Sequence, residues 1–590
     1  MFVGTLGASS MTEARLGEKG ILLHPKASPL ATTLMGPFTK LGNGSILAVD
    51  ESRALVSTDD GKTWSPRPLF DKPDKYRVRP ERALLRTRDG TLILAFLNDK
   101  EMAFRWDQAR GGPQPGCRLP VYVIRSTDEG QSWSEPQLIQ EGYSGALRSM
   151  IQLRSGRIVL GSQDAVANPG RHACFTLVSD DDGKSWKRSN TIDLGEYGGY
   201  GDHGGAIEPA LAQLRDGRVW MLIRTPRGRF SEAFSEDEGL TWRDIRPSQI
   251  ETSDAPAQLR RLQSGRLVLL WNRYVDPQKK TGRREQLSLA FSEDDGQHWT
   301  EPVVIAHDPA NKGEPEGRHW LSYPYVYEHV PGELWITTMQ GPLRIRVLED
   351  DFCPRPPSET TYRAVKLSDA GIVLDGRIDE PAWSRAHVEK HFVFPWKREP
   401  APPTEFRAFC DASHFYFAFR VQDADIVVLD KLRDEEDAVL EDRVEMYFGR
   451  DDRMQEYYCM EIDSRGRAFD YAACYYRRFD RKWTLAGLEA KGAPAPGGYA
   501  VEGRIPLDSL EKLGLPRLRP GTKVRFGIYR AEFSHDRSGR PVVQRESIHT
   551  RGRKLDGPPP IEEWISWIDP KTEEPDFHVP TSLGWLEVVE

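Results

Sequence analysis

The sequence predicts an all-β protein: a six-bladed β-propeller followed by a β-sandwich. Three observations carry that prediction. First, an eight-residue phrase, S-x-D-x-G-x-x-W, recurs five times: STDDGKTW (57–64), STDEGQSW (126–133), SDDDGKSW (179–186), SEDEGLTW (235–242) and SEDDGQHW (292–299). The last four tryptophans lie 53, 56 and 57 residues apart, a spacing that belongs to a ring or array of similar units. Second, six glycine turns, at Gly44, Gly90, Gly156, Gly217, Gly265 and Gly332, each precede an apolar strand (SILAVD, TLILAF, RIVLGS, RVWMLI, RLVLLW, ELWITT). Third, both repeats stop near residue 350, and short alternating strands take over.

A chain of 590 residues exceeds what one ordinary core supports, so at least two domains are expected. Apolar residues make up 38% and aromatics 10%, enough to build packed cores. A net charge of −8 spread along the chain argues against nucleic acid as a partner. No apolar run approaches the roughly 20 residues of a membrane helix. The six cysteines show no C-x-x-C spacing, which disfavours a structural zinc site and demands no disulfide framework. The first residues, MFVGTLGASSMTEARLGEKG, lack a basic start followed by an apolar core. The chain as written is therefore expected in the cytoplasm, and outside the cell if the true start lies elsewhere.

Each repeated phrase reads as a staple on the rim of one unit. Its Ser and Asp bond local amides, its Gly supplies a positive φ, and its Trp fills a wedge of core. Near-continuous apolar strands after the glycine turns are buried on both faces. Six such turns with five staples imply six four-stranded blades, the last without a staple. The apolar run 21–23 is expected to add an outer strand to the sixth blade and close the ring. The propeller thus spans 20–350. The Pro-rich stretch DFCPRPPSETT (351–361) is a linker, and 362–590, with alternating runs such as FYFAFRV, RVEMYFG and VRFGIYR, is the sandwich.

Inner strands of a propeller converge on one axial funnel, where small-molecule sites form. Nine residues before the glycine turns stand Met35, Glu81, Leu147, Glu208, Pro256 and Tyr323. Seven or eight after them stand polar residues, among them Glu51, Asn98, Gln163, Arg224, Asn272, Arg273 and Gln340. This shared register predicts a polar funnel mouth. The glycine-rich loop GGYGDHGGAIEP (198–209) places Asp202 and His203 just before Glu208. His203 is a candidate acid or sugar contact, set against a surface-loop role. Asp254, in TSDAP, has two readings, a place facing the funnel and a turn cap, and the turn cap is preferred.

The staples resemble the Asp boxes of sialidases, the bacterial neuraminidase-repeat superfamily, over roughly residues 20–350. IEPALAQLRDGRVWMLIR (207–224) is similar to the family's fourth-blade segment. The resemblance implies that Glu208 activates a Tyr nucleophile and that Arg224 clamps a substrate carboxylate. RREQLSLAFSEDDG (283–296) implies a second clamp at Arg284, with Arg273 as the alternative. LSYPYV (321–326) implies Tyr323 as the nucleophile. A neutral Tyr avoids the repulsion that a carboxylate nucleophile meets at an acidic sugar, and the guanidinium fork suits a carboxylate. The chain departs from the family in two places. The first-blade clamp position reads LMGPF, without Arg, and YRVRPERALL (76–85) offers Arg77 or Arg79 instead, near Glu81. The loop that carries the family's acid is short, leaving Asp50 and Glu51 as candidates.

GIVLDGRIDEPAWSRA (371–386) resembles the opening of family 9-like carbohydrate-binding modules. That implies a sandwich that stacks sugars on rings, with Trp396, Tyr476, Trp483 and Trp564 as candidates against a core role, and Trp383 as core. Together these readings imply a retaining exo-glycosidase acting on terminal acidic sugars of glycans, with no metal or organic cofactor. Two alternatives stay open: a lectin-like propeller without catalysis, and another glycosidase or lyase that uses His203.

Overall fold

The computed structural model describes residues 15–16, 20–109, 111–273, 284–309, 320–355, 358–368, 371–397, 399–432, 435–535 and 563–590. The chain divides into two compact units, one ending at Pro354 and the other beginning at Arg355.

The first unit is a propeller of six antiparallel blades. The first blade runs Phe38–Lys40, Ile46–Val49, Arg53–Ser57 and Ser65–Pro68. The second runs Val78–Arg86, Leu92–Asn98, Val121–Ser126 and Gln137–Gln140. The third is Met150–Gln152, Ile158–Val166, Arg171–Ser179 and Lys187–Arg188. The fourth is Ile207–Gln213, Val219–Arg224, Arg229–Ser235 and Arg243–Glu251. The fifth begins Gln258–Arg261, Leu267–Trp271, Gln286–Ser292 and Val303–His307. The sixth begins Ser322–Val330, Glu333–Gln340 and Arg344–Leu348. The first strands touch in a closed cycle from blade one through blade six and back to blade one, which defines the axis. Second strands such as Leu92–Asn98 and Val219–Arg224 are buried along their whole length, as their unbroken apolar character requires.

Ring closure differs from the sequence expectation. The run Leu22–Leu23 pairs with Val303–His307 and extends the fifth blade. The outer strand of the sixth blade is Ala27–Pro29, paired with Arg344–Leu348. Both pairings tie the start of the chain to its last two blades. The apolar run goes where the outer face of blade five offers an apolar partner, since Ile21 and Leu23 join the core shared by those two blades.

The five staples share one geometry. In the third blade, Ser179 Oγ donates to Asp181 Oδ1 at 2.9 Å and accepts from Gly183 N at 2.8 Å, and Ser185 N donates to Asp181 Oδ1 at 2.8 Å. Each staple glycine is left-handed, and so is the residue before it. The staples also lock neighbouring blades. A Cβ on Gly130 would meet Leu47, on Gly183 Ile93, on Gly239 Val159, on Gly296 Trp220 and on Gly61 Trp335, always on the second strand of the preceding blade. Gly296→Ala would place its methyl 2.7 Å from the Trp220 ring at φ +85. It is expected to destabilise the protein by at least about 2 kcal/mol in denaturant unfolding, from left-handed strain plus overpacking.

The second unit is one thirteen-stranded sheet that curls upon itself. Its two halves are joined by the parallel strand Thr361–Lys366, which lies between Gly584–Val589 and Thr404–Cys410. Phe415 meets Phe448 and Phe406 meets Phe526 across the layers, so the sheet packs as a sandwich around an aromatic core. Trp383 is 1% exposed and stacks edge-on against Phe409.

Candidate active site

Four side chains from three blades meet at the end of the propeller where first strands begin and second strands finish. Glu208 and Tyr323 stand at the starts of the first strands of blades four and six. Arg224 ends the second strand of blade four, and Arg284 precedes the third strand of blade five. Tyr323 Oη donates to Glu208 Oε1 at 2.7 Å, and Arg224 Nη1 donates to Glu208 Oε2 at 2.7 Å and to Tyr323 Oη at 3.2 Å. Glu208 and Tyr323 both have left-handed backbones, with φ of 52 and 55. At Glu208 the ladder slips between Ile207 and Ala210. The slip turns its carboxylate towards the axis, and Gln163 Oε1 accepts from the freed Glu208 N at 2.6 Å. Strained backbone of this kind, costing of order 1–3 kcal/mol per residue, persists where surrounding structure enforces it.

The electrostatics fit a proton-accepting carboxylate beside a neutral phenol. Burial pushes the Glu208 carboxyl up, but the Arg224 charge, the bonds from Arg224 and Tyr323 and the Arg148 charge together hold it below the ordinary range. Burial and the Glu208 charge raise the Tyr323 phenol well above its usual value, against Arg224 and Arg284. Arg284 is held below the usual arginine value by burial and by the nearby Arg224 charge. An anion between the two guanidiniums would relieve that repulsion.

Both arginines are already engaged by one residue. Asp254 Oδ1 accepts from Arg224 Nε at 2.7 Å, and Asp254 O accepts from Arg284 Nη2 at 2.6 Å. Asp254 therefore faces the site and contacts both cations, the less favoured of its two expected placements. Arg284 also donates to Gln340 Oε1 at 2.8 Å, and its guanidinium lies 4.9 Å from the Trp320 ring. Arg273 lies just beyond the second strand of blade five, half-buried and next to residues outside the described set.

The remaining candidates lie around this group. Asp50 sits in the turn between the second and third strands of blade one. Its carboxylate accepts from Ser52 N, Arg53 N and the Arg53 guanidinium. Burial pushes its carboxyl up, yet those bonds leave it below the ordinary value. Glu51, beside it, is exposed. Arg79 bonds Asp99 at 2.6 Å and Glu81 at 3.3 Å. Tyr143, raised mainly by burial, lies within the fields of Arg79, Glu81 and Glu208. Arg77 is bound to Asp99 on the surface side. The arginine that reaches the first blade is Arg82, which donates to the carbonyls of Gly36 and Val49.

Asp202 and His203 pair with each other at 3.0 Å and are 44% and 72% exposed. No contact joins them to Glu208 among the described residues. Their loop is tied to blade three through Gly205, where a Cβ would meet the His172 carbonyl at 2.1 Å. His172, 4% exposed, bonds Asp202 O at 2.8 Å and approaches Gln163 at 3.4 Å, and burial lowers its pKa towards a neutral ring. His172 and Gln163 thus support Glu208 from behind. His172 follows no glycine-turn register, so its place was not legible.

Residues 83–336 match the family model described as a BNR repeat-like domain, and residues 374–540 match the model described as a carbohydrate family 9 binding domain-like unit. The chain thus joins a propeller that matches the BNR repeat-like model to a domain that matches the family 9-like carbohydrate-binding model. A curated sialidase from Micromonospora viridifaciens is 25% identical over 305 residues, covering 45% of this chain and 44% of that protein. The chain therefore spans less than half the length of that relative. Among solved structures, the NanB sialidase of Streptococcus pneumoniae aligns at TM-score 0.37 and 15% identity, over 55% of this chain and 69% of its own. An α-L-arabinanase of Penicillium chrysogenum complexed with arabinobiose aligns at TM-score 0.37 and 16% identity, over 55% and 96%. A family 9 module of Caldicellulosiruptor kristjanssonii in complex with cellotriose aligns at TM-score 0.25 and 15% identity, over 39% and 94%.

In the family 9-like domain the ring candidates are engaged in packing. Trp396 lies against Phe577 and donates to Thr572 O at 3.0 Å. Trp564 meets the same Phe577 edge-on, Trp483 packs on Tyr458, and Tyr476 is half-buried and donates to Asp576. Among the described residues, Asp423, Asp442 and Glu532 form one group with metal-compatible spacing, their oxygens all within 4.8 Å of one another.

Proposed function

We propose that the BNR-repeat propeller is an exo-acting, retaining glycoside hydrolase that removes a terminal sugar bearing a carboxylate. The observation that carries this reading is the 2.7 Å hydrogen bond from Tyr323 to the buried Glu208, with Arg224 bridging both. Tyr323 Oη attacks the anomeric carbon while Glu208 takes its proton, and the bond to the leaving oxygen breaks as that oxygen is protonated. Water then attacks the tyrosyl–sugar bond and returns the phenol. Arg224 and Arg284 hold the substrate carboxylate, which enters where Asp254 now anchors them. Asp50 or Glu51 supplies the proton to the leaving group.

The state of Asp50 favours a second reading. A carboxylate already clamped by Arg53 is ill suited to carry a proton, and a propeller with a silent acid would bind a glycan without cleaving it. A panel of aryl glycosides with and without a sugar carboxylate separates the two. Turnover confined to carboxylate sugars is expected. Glycan-array binding without turnover of any member would favour the binding protein, and equal turnover of neutral sugars would contradict the role given to the two arginines.

A further inference from the structure

Arg148 belongs to blade three, just before the strand Met150–Gln152. In a ring of six, blades three and six stand opposite each other across the axis. Arg148 Nη2 nevertheless donates to Pro324 O of blade six at 2.5 Å, so its side chain spans the funnel. The guanidinium lies 5.2 Å from the centre of the Tyr323 ring and 4.6 Å from that of Tyr325. Arg148 is 3% exposed, and its Nε and Nη1 are buried without a hydrogen-bond partner. Leaving guanidinium N–H groups unsatisfied in a buried site is costly, and the two ring faces are what this cation has gained in exchange.

We propose that Arg148 is a positioning residue for Tyr323, holding its ring from beneath and favouring the build-up of negative charge on it as the phenol attacks; this rests on the reading of Tyr323 as nucleophile. A cation over an aromatic face is attracted by the ring's electron density. That attraction grows when the proton passes to Glu208 and the phenolate charge spreads into the ring. The carbonyl of Pro324, the residue after Tyr323, fixes the guanidinium relative to the backbone that carries the nucleophile. Tyr325, the second ring, donates to Pro80 O at 2.8 Å, which ties the stack to blade two. Arg148 enters from blade three, where it acts on the enzyme's own nucleophile and leaves the substrate carboxylate to Arg224 and Arg284.

The test is steady-state kinetics of full-length wild type, Arg148→Met, Arg148→Lys and Tyr323→Phe on a carboxylate-bearing aryl glycoside, with melting temperatures alongside. Arg148→Met should lower kcat about tenfold or more with KM within twofold, because the cation acts on the attacking phenol. Arg148→Lys, which keeps the charge and loses the planar stack, should recover part of that loss. A purely structural role would lower the melting temperature and leave kcat per folded protein unchanged in both variants, and that result overturns the proposal. If Tyr323→Phe is inactive while Arg148→Met keeps wild-type kcat, the role of Arg148 alone fails. If Tyr323→Phe retains turnover, or no glycoside is cleaved, the nucleophile reading fails and this inference with it.

Discussion

Tyr323→Phe should lower kcat at least about a thousandfold on any glycoside the protein cleaves, with its fold intact. The substitution removes one oxygen and keeps a ring of the same shape at the same left-handed position. The Arg224–Glu208 pair at 2.7 Å does not depend on it. Glu208→Gln should cost about 10²–10⁴-fold, the usual worth of a positioned base. The sign of the pH dependence follows from the charge state. A base held below the ordinary carboxylate value is already unprotonated at neutral pH. The acidic limb of kcat/KM set by Glu208 should therefore appear only below about pH 4.3, the ordinary Glu value. Rates across pH 3–8 check this, and an acidic limb near neutrality that disappears in Glu208→Gln would contradict it.

Arg224→Met should destabilise the propeller by about 3–5 kcal/mol, because it strands a buried carboxylate. Glu208 is 5% exposed and would lose its only buried salt bridge among the described residues, while Asp254 would lose the bond to Arg224 Nε. Denaturant unfolding measures the loss. The same variant should lose the preference for carboxylate sugars, so stability and specificity fall together. Linkage gives a further sign. Glu208 has a depressed folded pKa, so its pairing stabilises the fold above the unfolded value, and that contribution fades as pH drops through the folded value. Arg224→Met should flatten stability against pH in that acidic window.

The architecture was readable because it is written in local backbone demands. A serine, an aspartate and a glycine within one tight turn specify the staple wherever they occur, and six glycine turns count the blades. Glu208 and Tyr323 were readable for a related reason: they share an offset from those turns, and a shared offset becomes a shared height on the axis. Arg148 escaped because the first strand of blade three begins only at Met150, so the register pointed to Leu147, while the long side chain one residue on crosses to the opposite blade. Asp254 was ranked first as a turn cap because S-D-A-P reads as a turn, and its partnership with Arg224, which depends on two blades meeting, was not legible. Ring closure was misplaced for a similar reason. An isolated apolar run can pair with either neighbouring outer edge, and packing against Val303–His307 decided for blade five.

The most direct test of the central claim, that Tyr323 forms the bond to the sugar, is to trap the intermediate. A carboxylate-bearing glycosyl fluoride with a second fluorine beside the anomeric carbon slows the breakdown of a covalent adduct. Incubation, digestion and mass spectrometry should then place one sugar mass on the peptide containing Tyr323, absent in Tyr323→Phe. An adduct on another residue, or turnover of this reagent's parent sugar with inverted configuration by NMR, would contradict the account.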